Sequence, residues 1–190
     1  GKKSQYLVLA SELSAAGFIA GDISSVAFEV VSAGVSLSDF SISAKLTTNS
    51  VMTSTLETGL TSVYSSASVS PTVGFNTYPF SSAINWDGTS NLVIEVCWSN
   101  VNGGGTSSTV KRDGTAFVSH AYYRADNEAA ASLCAATTAT STTSLRPKMT
   151  FSGTGVCVSA RTAVTASITA APSVSVAGTS TICLGESTIL

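Results

Sequence analysis

Ser90-Asn91-Leu92-Val93-Ile94-Glu95-Val96-Cys97-Trp98-Ser99 places Leu92, Ile94, Val96 and Trp98 at every second residue. A period of two is that of a half-buried strand, because successive Cβ atoms point to opposite faces of a sheet. The same alternation recurs elsewhere. Val26, Phe28 and Val30 oppose Ala27, Glu29 and Val31, while Phe40, Ile42, Ala44 and Leu46 oppose Ser41, Ser43, Lys45 and Thr47. Further strands are read at 4–9, 73–80, 107–111, 115–124 and 147–151. Helical spacing is nowhere sustained: Ser11-Glu12-Leu13 reads as a turn closing at Gly17 and Gly21, and 129–133 is the one helix-prone run, too short to stand alone. The expected fold is all-β. An antiparallel jelly-roll-like β-sandwich covers 1–152, a strand and linker 153–171, and the start of an immunoglobulin-like domain 172–190.

Punctuation between the runs follows turn chemistry. Asp87-Gly88 and Asp113-Gly114 each sit between strand-like runs, where Gly takes positive φ without steric cost, and each predicts a hairpin. Residues 49–70 read as a looser stretch, and 135–144, rich in Ser, Thr and Ala, as a long mobile connection. Asn102-Gly103-Gly104-Gly105 reads as a flexible loop, since no Gly-Lys-Ser/Thr follows to make a phosphate cradle. Ala171-Pro172 marks the joint between domains, and Ser187-Thr188-Ile189-Leu190 reads as the middle of a further strand, so a piece of a longer polypeptide is expected.

Composition narrows the function classes. Ser and Thr make up about a third of the residues, well above common usage. Charged residues are only 11% and the net charge is −2, which gives no basic field for nucleic acid or anionic lipid and makes polyanions unexpected partners. The apolar runs are far shorter than the roughly 18 residues of a spanning helix, so no membrane insertion is expected. Few Lys residues and four Cys residues favour an oxidising, extracellular setting, at the cell surface or secreted.

Four cysteines allow three connectivities. The pairing expected is Cys97 with Cys134, and then Cys157 with Cys183, unless Cys183 takes a partner beyond Leu190. Zinc competes weakly, because no C-x-x-C pair occurs and His120 is the only histidine.

A hydrolytic triad would have to use His120, but no G-x-S-x-G elbow accompanies it, and a strand-surface histidine is the plainer reading. Asp87, Glu95, Asp113 and Asp126 could be nominated as a glycosidase pair, yet nothing singles out two of them. No catalytic residue is assigned. Calcium is the one cofactor the ligand types allow, through Asp22, Asp39, Asp126, Asn127 and Glu128, although 126–128 is more simply a solvated turn. Aromatic rings stack on sugar faces, which makes Tyr78, Tyr122, Tyr123 and Trp86 the carbohydrate-binding candidates, with Trp86 read first as a buried loop anchor and Trp98 as a core residue.

The segment 5–13, then Gly17 and Gly21-Asp22-Ile23, Phe80, Trp86-Asp87-Gly88-Thr89-Ser90-Asn91-Leu92 and Arg146-Pro147 resembles modules of very large secreted proteins of Bacteroidota. Those proteins are substrates of type IX secretion and include the gliding-motility adhesins. Cys157-Val158-Ser159-Ala160-Arg161, Val164, Pro172 and Cys183-Leu184-Gly185 resemble the linker and start of their immunoglobulin-like repeats. The resemblance implies a non-catalytic module of an adhesin or fibre protein, giving adhesion or spacing, with neighbouring modules of the same polypeptide and surface or environmental polysaccharide as partners. A carbohydrate-binding module of a secreted multidomain hydrolase is the alternative.

Overall fold

A computed structural model of the chain describes residues 1–100 and 105–154. The expectations for 155–190, including the Cys157–Cys183 pair, the linker and the immunoglobulin-like start, lie outside the described residues, as do Gly103 and Gly104. In chain order the elements are β1 (Lys2–Val8), α1 (Ala10–Ala15), β2 (Gly21–Ser32), β3 (Leu37–Thr47), β4 (Thr61–Val69), β5 (Gly74–Trp86), β6 (Asn91–Trp98), β7 (Thr109–Val110), β8 (Arg112–Gly114), β9 (His120–Arg124), α2 (Ala130–Cys134), β10 (Ser141–Thr143), β11 (Leu145–Pro147) and β12 (Met149–Gly153).

The strands make an all-β antiparallel sandwich. One sheet runs β10-β9-β1-β6-β3-β4; the other runs β12-β2-β5 with β7 also on β2, and β8 and β11 form a separate ribbon. The chain crosses between the large sheets at β1 to β2, β2 to β3, β4 to β5 and β5 to β6, the exchange that a jelly roll requires. Their facing sides share one core, in which Val8, Ile23, Val26, Ile42, Leu92 and Ile94 are buried.

Strand β6 departs from simple alternation for a physical reason. Val93 and Cys97 are as buried as Leu92 and Ile94, because the outer face of the six-stranded sheet is also covered. Residues 48–60 and the segment through α2 lie over it, stitched together by Leu56 N–H to the Thr137 carbonyl (2.8 Å) and Ala139 N–H to the Ser54 carbonyl (2.7 Å). Met52 and Leu56 cap Leu7, Val93 and Ala121 there. Polar groups under this cover are satisfied, as buried groups must be: the Lys3 ammonium donates to the carbonyls of Cys134 (2.8 Å) and Ala136 (2.9 Å) and pairs with Glu95 at 3.3 Å. Gln5 donates to Glu95 and to the Glu57 carbonyl and accepts from Glu57 N–H. The expected Cys97–Cys134 disulfide joins β6 to α2, with the Cα atoms 5.9 Å apart.

Several sequence expectations are corrected. Asp113-Gly114 is no hairpin turn; both residues belong to β8, which pairs with β11. Asp87-Gly88 is a turn with Gly88 at φ +82°, but it carries the chain from one sheet to the other, since β5 pairs with β2 and β6 with β1 and β3. The looser stretch contains β4, a Ser-rich edge strand in which Val63 is the one fully buried side chain. The 135–144 connection contains β10 on β9 and a bridge from Thr138 to Thr55. Residues 10–15 form a helix, because Glu12 accepts from the Leu9 N–H at 2.9 Å and Leu13 is buried. The second short helix, α2, survives despite its length because Leu133 is buried and Cys134 is tethered.

Candidate functional site

The inner face of the six-stranded sheet is filled by aliphatic side chains at one end and left open at the other. At the open end lies a cleft of about 900 Å³, reaching between the sheets and bordered by the β8–β11 ribbon. Period-two alternation supplies its lining: Lys2, Ser4 and Tyr6 from β1, and His120, Tyr122 and Arg124 from β9, all on one face. Phe28 of β2, Tyr78 of β5 and Trp98 of β6 complete the apolar wall.

These rings form a continuous row. Tyr122 lies 5.2 Å from His120, His120 4.7 Å from Tyr6, Tyr6 6.3 Å from Phe28 and Phe28 6.0 Å from Tyr78. Tyr78 then stacks on Phe40 at 5.1 Å. The Lys2 ammonium caps the outer end, 4.4 Å from the centre of the Tyr122 ring, an arrangement that a ring's negative face favours.

His120 is the polar centre of this row. It is 7% exposed, so the surface-histidine expectation is corrected. Its Nδ1 lies 3.2 Å from the Leu145 carbonyl, which can only accept, so Nδ1 carries the proton and Nε2 presents a lone pair. Nε2 is buried and has no hydrogen-bond partner among the described residues. Burial, then the charge of Lys2, pulls the imidazole down to about 4; the Leu145 carbonyl opposes this and Arg112 adds to it. The ring is therefore neutral at pH 7.

A pH dependence follows. Above pH 6.5 His120 is neutral in both the folded and the unfolded chain; between 6.5 and about 4 the unfolded chain takes up a second ring proton and the folded chain does not, so stability falls as the pH falls through that window. The expected loss across that window is about 2–3 kcal/mol, levelling off at lower pH. Urea unfolding at pH 7 and 4.5 checks it: His120→Gln should lack this part of the loss, and equal losses in both proteins would refute the assignment.

The carbohydrate-binding candidates separate. Tyr78 and Tyr122 meet in the cleft, Tyr78 at 7% exposure and thus as a wall rather than a free surface ring. Tyr123 points to the other side of the same strand, where it packs on the outer cluster and donates to Glu128 at 3.0 Å. Trp86 is 1% exposed and its indole N–H donates to the Ser90 carbonyl at 2.7 Å, which makes it the loop anchor. Tyr6 and His120 were not among the ligand candidates; the signal was the single-face pattern His120, Tyr122, Arg124, legible in sequence but not joined to β1.

The four carboxylates do not form a pair across the cleft. Asp87 accepts from the Ser90 hydroxyl (2.6 Å), the Ser90 N–H (2.7 Å) and the Thr89 N–H (2.8 Å), which hold its carboxyl well below the usual range and make it a turn residue. Glu95 faces the opposite side with Lys3, Asp113 is exposed on β8, and only Asp126 borders the cleft. The calcium candidates are likewise dispersed: Asp22 accepts from Asn85 at 2.9 Å, Asp39 lies on β3, and Asp126, Asn127 and Glu128 form a turn with Asn127 at φ +56°. Among the described residues no three His, Cys, Asp or Glu side chains gather as a metal site would need. No helix among them is long and apolar enough to cross a membrane.

The fold and site define an all-β sandwich with an aromatic cleft between its sheets. No protein-family model, curated protein or solved structure matches the chain.

Proposed function

We propose that the chain is a non-catalytic recognition module of a large secreted or cell-surface adhesin, and that the cleft between the sheets holds its ligand. The observation that carries this reading is the row of rings from Tyr122 to Tyr78 along a cleft of about 900 Å³. Concave sites of several hundred Å³ with apolar walls and a few placed polar groups are what small ligands and glycan ends occupy. A saccharide lays its C–H face against such a ring while its hydroxyls meet the polar groups around the cleft.

Catalysis is disfavoured by the same geometry. His120 has a backbone carbonyl at Nδ1 instead of an orienting carboxylate, and no hydroxyl bonded at Nε2. The extracellular setting rests on the cysteine usage and on the disulfide over the outer face. A binding module of a secreted hydrolase would use the same cleft; the identity of its neighbours in the parent chain separates the two.

The test is a glycan array followed by titration calorimetry on the intact chain. Saturable binding is expected, weakened about tenfold by Tyr122→Ala, as loss of one stacked ring implies, and unchanged by Tyr123→Ala on the opposite face. A folded protein that binds no member of the panel would refute recognition and leave a spacer role.

A further inference from the structure

The charged side chains are unevenly paired. Of the eight Lys and Arg residues among the described residues, Lys3, Lys45, Lys111, Arg146 and Lys148 each meet a carboxylate: Glu95, Glu57, Glu29, Glu12 and Glu29 respectively. Lys2 and Arg112 meet none among the described residues, and Arg124 reaches only Asp126, at 4.0 Å with both groups exposed. All three border the cleft. They converge from different strands: Lys2 and Arg124 are register partners on β1 and β9, and Arg112 comes from β8. Burial, then repulsion from Arg112 and Arg124, depresses the pKa of the Lys2 ammonium. In a chain of net charge −2, the cations without a close carboxylate collect at one mouth, with Asp126 the single acid beside them among the described residues.

Gathering like charges is unfavourable unless an anion joins them. We propose, resting on the recognition reading above, that the cleft takes the end of an anionic saccharide: its carboxylate or sulfate between Lys2 and Arg112, and its ring against Tyr122 and Tyr6. Arg112 suits this role, since guanidinium offers paired donors to a planar carboxylate. The net charge that argues against polyanions is no obstacle, because only the terminal residue enters. Arg124, partly offset by Asp126, lies at the rim.

The test uses the full chain and two matched sets of probes: galacturonate tetramer against its methyl ester, and a sulfated fucose tetramer against its desulfated form. One charged probe is expected to bind at least about tenfold tighter than its neutral counterpart, the discrimination that a charge-assisted hydrogen bond supplies. Which of the two binds identifies the anion. Lys2→Gln and Arg112→Gln should each remove most of that preference and flatten the dependence on salt. Lys111→Gln, next in sequence but paired with Glu29 away from the cleft, should leave it intact. Charged and neutral probes binding equally, with Tyr122→Ala still weakening both, would overturn the anionic inference alone. Failure of all four probes to bind a folded sample would overturn it, and a blank array as well would overturn the recognition reading too.

Discussion

Trp86→Ala is expected to lower the unfolding free energy by about 3–5 kcal/mol, the range for truncating a fully buried large aromatic. The indole is the largest of the fully buried side chains and sits at the end of β5, where the chain leaves one sheet for the other. Its loss removes ring packing from the shared core and also leaves the Ser90 carbonyl without its donor. Gly88 at φ +82° and the Asp87 carboxylate shape the turn locally, but neither replaces the anchor. Trp86→Phe should cost less than Trp86→Ala, because it keeps ring contacts and loses the hydrogen bond. Urea unfolding followed by circular dichroism measures both. A cost below about 1 kcal/mol for Trp86→Ala would place the ring outside the core, since surface substitutions fall in that range.

Removing the disulfide with Cys97→Ala and Cys134→Ala together should cost about 4 kcal/mol by the chain-entropy relation for a loop of 37 residues. For a domain of this size that corresponds to a fall in Tm on the order of 10 °C. The tether does more than restrict the unfolded chain. Cys134 belongs to a five-residue helix that carries buried Leu133, and its carbonyl accepts from Lys3. Without the bond, the cover over Lys3, Gln5 and Glu95 is held by Leu133 and a few backbone hydrogen bonds, so proteolysis between 125 and 140 should become the first cleavage. Thermal unfolding of the native chain with and without reductant gives the size of the effect. The double variant should be insensitive to reductant on that transition; a transition unmoved by either treatment would show that cover and sheet do not depend on the link.

The period-two pattern was enough to read an all-β sandwich, because Phe28, Phe40, Ile42 and Ile94 are buried where alternation puts them. It failed where local chemistry and long-range pairing disagree. Asp113-Gly114 has the residues of a tight turn, yet Arg112–Gly114 is extended because Leu145–Pro147 pairs with it from far along the chain. Thr61–Val69 was missed because an edge strand with one exposed face can take Ser and Thr at more than half of its positions. The cleft was half legible: Tyr122 was read as a ligand ring, and the shared face of His120, Tyr122 and Arg124 was visible. That Tyr6 and Lys2 stand opposite them depends on the register of β1 against β9, which no short-range pattern encodes. Average charge concealed the rest, since Lys2 and Arg112, without a carboxylate partner among the described residues, vanish in a net of −2.

The covalent link between β6 and α2 also limits how far the chain can be drawn out by force. If a surface-bound module is pulled from both ends, unfolding feeds slack into the line, at roughly 3.5 Å per residue. Closing 37 residues in a loop withholds about 130 Å of that extension. Single-molecule stretching would register a shorter rupture step with the bond intact than after reduction, and the difference between the two lengths would report the link directly. Under tension the disulfide acts as a stop on reach.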